Sequence, residues 1–261
     1  MDPLAERWRR AVPSLKELRL RVAFLRSEML RAEVAAVARA LDDLCRDAEQ
    51  ASPVARDVLS AAVPVLADPA LSERVEQLRE LAASSALLSL SRLLRRKARR
   101  HEAAPPPAPL PDERRLAASS AGRALTLGER RALARRPTRA AFDALLRDPH
   151  PLVIRNLLAN PRMTEDDVVR LAARRPATPE VMIEIARHPE WSQRARVRMA
   201  IVQNPGAPPE IAVPMVRLLL RPELTQLVAA PDVPGVVRAA AKEMLERRPP
   251  VPYKPGGALE Q

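Results

Sequence analysis

Apolar residues in the first third of the chain recur at helical spacing. Leu15, Leu18, Val22, Leu25, Met29 and Ala32 fall on one stripe of a seven-residue repeat. Leu30, Val34, Val37, Leu41, Leu44 and Ala48 carry it on in a shifted register. Spacings of three and four predict a helix of about 35 residues. Pro13-Ser14-Leu15-Lys16-Glu17 has the form of a capping box at its start, with Ser14 accepting from the third helical N–H and Glu17 reaching back. Ser52-Pro53 predicts a second helix to about Leu66, its proline in the first turn where the missing N–H costs nothing. Asp68-Pro69 opens a third, running to roughly His101. Residues 1–102 therefore read as an N-terminal helical bundle or coiled-coil hairpin. The alternative is self-association, the long helix pairing with a second copy or another protein.

The pattern then changes. Ala103 to Pro111 holds five prolines in nine residues, which neither helix nor sheet can pass, and reads as a semi-rigid linker over 103–111. A short helix is expected from about Asp112, and Thr126-Leu-Gly-Glu129 is a second capping box. From there Pro137, Pro149, Pro161, Pro176, Pro189, Pro205, Pro222 and Pro231 cut the chain at intervals that each fit a turn and a short helix. Thr126, Thr138, Thr164 and Thr178 stand where helices should start, and Glu165, Asp166, Asp167, Glu180 and Glu210 place negative charge in first turns. Two phrases recur. Asn160-Pro161, Arg175-Pro176, Asn204-Pro205 and Ala230-Pro231 open similar turns, and Asp148-Pro149…Val153…Leu157-Leu158-Ala-Asn160-Pro161 matches His188-Pro189…Val197…Ile201-Val202-Gln-Asn204-Pro205. A short helix cannot bury its apolar face alone, so a repeated one must stack on its neighbours. The expected fold class is all-α: the bundle or hairpin, then an α-solenoid over 112–248 and a disordered tail over 249–261.

These phrases resemble the leucine-rich repeat variant family, a relative of HEAT-type repeats, over residues 125–248. The resemblance implies a superhelix of short helices whose role is binding. Some members carry a cysteine-ligated iron–sulfur cluster, and Cys45, the single cysteine, does not support that here.

Composition sharpens this little. Ile and Thr occur five times each and aromatics make up 2% of the chain, so strand formers are scarce. Residues 1–91 carry 13 basic and 14 acidic side chains, 92–102 six and one, 103–123 three and two, and 124–261 22 and 15, which distributes the formal charge of +12. Arg92, Arg95, Arg96, Lys97, Arg99 and Arg100 form the densest basic patch. It reads as a solvated helix end that complements the dipole, against a phosphate-contacting patch or a membrane-surface helix with Leu87, Leu90 and Leu94 on its apolar side. Arg194, Arg196 and Arg198, with Arg155 in the earlier copy of the phrase and Trp191 beside them, are the candidate partner-binding residues; on one face they would line a cationic groove.

No catalytic constellation appears in the sequence. His101, His150 and His188 stand far apart, two of them beside turn prolines, and Cys45 lies on an apolar stripe with Leu41, Leu44 and Ala48. Asp166-Asp167 diverge by about 100° on a helix, so first-turn charge accounts for them better than an acid pair. No run approaches a membrane span, and Met1-Asp2-Pro3 leads into charges, which predicts a cytoplasmic protein. The expectation is a non-enzymatic interaction scaffold that binds a protein with an acidic or mixed surface, with no catalytic residue, cofactor or metal. The first alternative is a nucleic-acid-binding repeat protein using residues 92–100 and the repeat arginines. A second, implied by HEAT-like DNA glycosylases, is weakened by the poverty of aromatics.

Overall fold

The computed structural model describes residues 2–95 and 124–248. Among them all regular structure is helical and no strand forms. The linker 103–111, the helix expected from Asp112, Arg96, Lys97, Arg99, Arg100 and His101, and the tail 249–261 lie outside the described residues.

Six helices replace the three expected in the N-terminal part: α1 (Pro3–Ser14), α2 (Leu18–Arg31), α3 (Val34–Glu49), α4 (Pro53–Leu66), α5 (Ser72–Ser84) and α6 (Leu88–Leu93). The first was not expected. Asp2 accepts from the N–H groups of Leu4 at 2.9 Å and Ala5 at 3.2 Å, and Pro3 fills the first turn, the same chemistry as Ser52-Pro53. α1 buries Trp8 completely. Ser14 therefore ends a helix instead of starting one. Its hydroxyl donates back to Ala11 O at 2.7 Å, and Glu17 stands at the start of α2 without a side-chain cap.

The long helix is also corrected. It breaks at Ala32-Glu33, where the backbone is extended, and Arg74 of α5 donates to the freed carbonyls of Met29 and Ala32. The shift in apolar register explains the break: one straight rod cannot turn two out-of-phase stripes to a single core. Split, α2 and α3 both pack on α4. The seam proposed for self-association loses its continuous rod. The third helix divides as well, into a 3₁₀ turn at Pro69–Leu71, then α5, then α6. α3 and α5 end alike: Ser52 N–H donates to Asp47 O and Leu87 N–H to Ala82 O, with Ala51 (φ 66°) and Ala86 (φ 51°) in the left-handed position that usually takes glycine.

The second group comprises α7 (Leu127–Arg135), α8 (Arg139–Leu145), α9 (Pro151–Leu158), α10 (Glu165–Ala173), α11 (Pro179–Arg187), α12 (Ala195–Val202), α13 (Pro209–Val216), α14 (Arg221–Ala229) and α15 (Gly235–Arg247). Thr126 with Glu129 and Thr164 with Asp167 form complete capping boxes, and Thr138 caps α8 through Ala141 N–H. Thr178 does not cap; its hydroxyl donates to Pro149 O at 3.4 Å. Alternate helices touch: α7 packs on α9, α9 on α11, α11 on α13 and α13 on α15, while α10 packs on α12.

α4 joins the two groups. It packs against α11, α13 and the 3₁₀ turn Trp191–Gln193, so one continuous apolar core includes residues from both groups. Polar ties cross the same seam. Arg217 donates to Glu49 at 2.5 Å, Arg56 to Leu218 O at 2.6 Å and Gln193 to Leu18 O at 3.4 Å. Arg19 pairs with Glu190 at 2.6 Å and Arg95 with Glu243 at 2.9 Å. No helix among the described residues is long and apolar enough to cross a membrane.

Candidate functional site

The recurring X-Pro phrase has a common geometry. Asp148 Oδ1 accepts from His150 N–H at 2.9 Å, Asn160 Oδ1 from Arg162 N–H at 2.9 Å and Asn204 Oδ1 from Gly206 N–H at 2.8 Å. His188 Nδ1 accepts from Glu190 and Trp191 N–H, both at 3.3 Å. Each side chain holds its own turn two residues on, as Asx turns do. The two asparagines also reach an earlier helix. Asn160 Nδ2 donates to Arg135 O at the end of α7 at 2.9 Å, and Asn204 Nδ2 donates to Ala172 O at 2.7 Å and Arg174 O at 2.8 Å at the end of α10. Those carbonyls have no partner within their own helices, so the asparagine is an inter-helix cap. Asp148 cannot donate, and instead lies 2.7 Å from Arg130. At His188 the reach is made by Trp191, whose indole N–H donates to Leu158 O, the last residue of α9, at 2.9 Å.

His188 is shielded where α11 ends. Burial lowers its pKa to about 4, against a small opposing pull from Glu190, while Arg19 reinforces the shift. The folded-state value thus lies below the unfolded value of about 6.5, so this contribution to stability is complete above pH 6.5 and is lost as pH falls towards 4. By linkage its upper limit is roughly 3 kcal/mol. His188→Asn keeps the acceptor for the turn and removes the titration. Urea unfolding at steps between pH 7 and 4 should show the wild type losing stability relative to this variant. Parallel pH profiles would mean that the ring is solvated.

Two clefts open along the seam where α4 ends, and both are lined by Asp68. The polar one, of about 280 Å³, lies between Asp68, Arg155, Glu184, Arg187 and His188. Its charges alternate. Arg26 pairs with Asp68, Asp68 lies 4.0 Å from Arg187, Arg187 is 2.9 Å from Glu184, and Glu184 takes Arg155 in a fork at 2.7 and 3.0 Å. Burial alone would raise the Asp68 pKa, but the Arg26 hydrogen bond, the Ala70 N–H and the arginine charges hold it below the usual carboxylate range. The hydrogen bond to Glu184 raises that of Arg155. The second cleft, of about 200 Å³, is apolar: Leu66, Val75, Ile183, Ile211 and Pro214, with Glu76, Arg79 and Glu210 also lining it. The sequence signal for the polar cleft was a charge on a buried stripe: Glu184, 5% exposed, sits between Val181 and Ile185.

The residues singled out in the sequence do not share one face. Arg155 lines the polar cleft. Arg194 is exposed at the start of α12, and Arg196 pairs on the surface with Asp166 at 2.6 Å. Arg198 turns inward to Gln193 O at 2.5 Å and to Ser60 of α4 at 3.5 Å. Trp191 is partly buried and spent on the end of α9. Of the basic patch, Arg92 forks onto Glu49 at 2.8 and 2.9 Å and Arg95 binds Glu243. His150 caps α9 through Leu152 N–H at 3.2 Å. Cys45 is buried, and burial pushes its thiol up to about 12. Among the described residues no three histidine, cysteine or acidic side chains are grouped to hold a metal ion. No protein-family model, curated protein or solved structure matches this chain.

Proposed function

We propose that this chain is a non-enzymatic interaction scaffold, its second group of helices an α-solenoid of the leucine-rich repeat variant or HEAT-like kind, which binds an extended segment of a partner protein along the seam. The observation that carries this is the pair of clefts flanking Asp68. An apolar pocket beside an alternating ladder of charges suits a segment with an apolar anchor flanked by charges of both signs. The carboxylates in the ladder disfavour a polyanion such as nucleic acid along this path, since Arg26, Arg155 and Arg187 already have partners.

Selecting ligands from a random peptide library displayed against the full chain tests the proposal. Binders should lose at least tenfold in affinity on Ile183→Glu and on Arg155→Glu, and keep it on Arg170→Glu, which lies away from these clefts. Selected peptides indifferent to Ile183 and Arg155 would overturn the assignment. So would tight binding of a generic DNA duplex that survives physiological salt and is lost on replacing Arg194 and Arg196, the outcome expected of the nucleic-acid alternative.

A further inference from the structure

We propose that Arg56, Arg198 and Arg248 form a binding site for a small phosphate-bearing anion, where α4 meets the turn between α13 and α14. This site is separate from the clefts beside Asp68 and does not rest on the reading of their function.

Three consecutive carbonyls of that turn accept from two of these arginines. Arg248 donates to Arg217 O at 3.2 Å and to Leu219 O, and Arg56 donates to Leu218 O at 2.6 Å. Arg198 reaches the same side of α4 one turn on, at Ser60, and Arg221 packs behind, donating to Arg248 O at 2.9 Å. Carbonyl dipoles at a helix C-terminus welcome a cation, which explains one arginine there. They do not explain several. Burial favours the neutral form of all three and lowers Arg198 and Arg248 to about 10; Arg56 repels each of them, and Arg217 and Arg221 add to the repulsion at Arg248.

Glu223 is the carboxylate that opposes this excess, pulling on all three arginines. Its carboxylate already accepts from Leu220 N–H at 2.5 Å. A second observation points to a ligand: the Nε–H groups of Arg56, Arg198 and Arg248 are each shielded from solvent without an acceptor. A buried donor without a partner is costly, and three on neighbouring guanidiniums of like charge need one common remedy. A tetrahedral oxyanion supplies it, because its oxygens accept charge-assisted bonds from several directions at once. Arg56 and Arg198 are half-buried, and Leu220, between the accepting turn and Arg221, is 53% exposed, so the cluster lies near the surface.

The full chain would be titrated calorimetrically with inorganic phosphate, pyrophosphate and glycerol phosphate at constant ionic strength. Saturable one-to-one binding of inorganic phosphate or pyrophosphate identifies a free anion as the ligand; preference for glycerol phosphate identifies a phosphate monoester. Arg198→Gln should weaken binding at least tenfold, and Arg196→Gln, on the exposed Asp166 pair, should leave it unchanged. Because loss of Arg198 also loosens the seam, Glu223→Gln is the second arm. The amide keeps an acceptor for Leu220 N–H while removing the opposing charge, so phosphate should bind about threefold tighter or more. A structural role for the arginines would not produce that gain. The proposal is overturned by the absence of saturation with all three anions, by an equal response to added chloride, by an unchanged affinity in Glu223→Gln, or by binding of oligonucleotides alone.

Discussion

Replacing Glu49 with alanine should destabilise the protein by about 3–5 kcal/mol, the usual cost of stripping one partner from a buried ion pair. The Glu49 carboxylate, with its side chain 6% exposed, accepts from Arg92 of α6 and from Arg217 at the end of α13. Removing it strips the partner from the buried Arg217 guanidinium and from the partly buried Arg92, one in each group of helices. Burial alone would raise the Glu49 pKa, but Arg217 and Arg92 hold it below the ordinary range. Its contribution is therefore complete above the unfolded value of about 4.3 and is lost as pH falls through the lower folded value. Urea midpoints at pH 7 measure the loss, which should shrink in acid. The triple change Glu49→Leu, Arg92→Leu and Arg217→Met should cost far less than Glu49→Ala, because no charge is left unpaired. A loss below about 1 kcal/mol for Glu49→Ala would mean that water reaches the pair.

What the sequence shows of this architecture is whatever is local. Thr126 with Glu129 is a four-residue signal, and its box forms as expected; Thr164 starts a helix as expected, and Asp167, read only as first-turn charge, closes a box with it. Asp2-Pro3 carries the same chemistry as Ser52-Pro53, yet Pro13 and Ser14, about three turns further on, make a competing start signal, and α1 is hidden behind it. The break at Ala32 leaves a trace in the shifted apolar register, which a single helix would have had no reason to show. The seam leaves almost none. Glu49 and Arg217 are 168 positions apart, so nothing in either neighbourhood marks them as partners. The arginines read as a cationic groove scatter for a related reason: Arg196 and Arg198 lie about 200° apart on α12, so one meets Asp166 outside and the other α4 inside. Proline spacing marks where helices stop, whereas what each asparagine reaches is set by stacking.

That stacking gives Asn204→Ala the second large effect, a loss of about 3 kcal/mol or more. Asn204 is 1% exposed and makes three hydrogen bonds, donating to Ala172 O and Arg174 O and accepting from Gly206 N–H. Alanine strips the partner from the buried Ala172 carbonyl, worth roughly 1–3 kcal/mol, and from the partly buried Arg174 carbonyl and Gly206 N–H, which add smaller losses. The turn cannot close the gap by sliding, because Gly206 already lies against the segment that leads into α11: a Cβ there would stand 2.8 Å from Ala177 O. Asn204→Asp separates the donor from the acceptor role. Aspartate can still accept from Gly206 N–H, as Asp148 does from His150, but it turns a carboxylate oxygen towards two carbonyls without the guanidinium that Arg130 gives Asp148. At pH 7 the aspartate variant should be no more stable than the alanine one. Its deficit should narrow as pH falls and the carboxyl gains a proton to donate, a raised folded-state pKa whose penalty is relieved in acid. Urea midpoints at pH 7 and 4.5 for wild type and both variants decide it. An aspartate variant as stable as wild type at pH 7 would show that the inter-helix cap does not depend on the amide N–H groups.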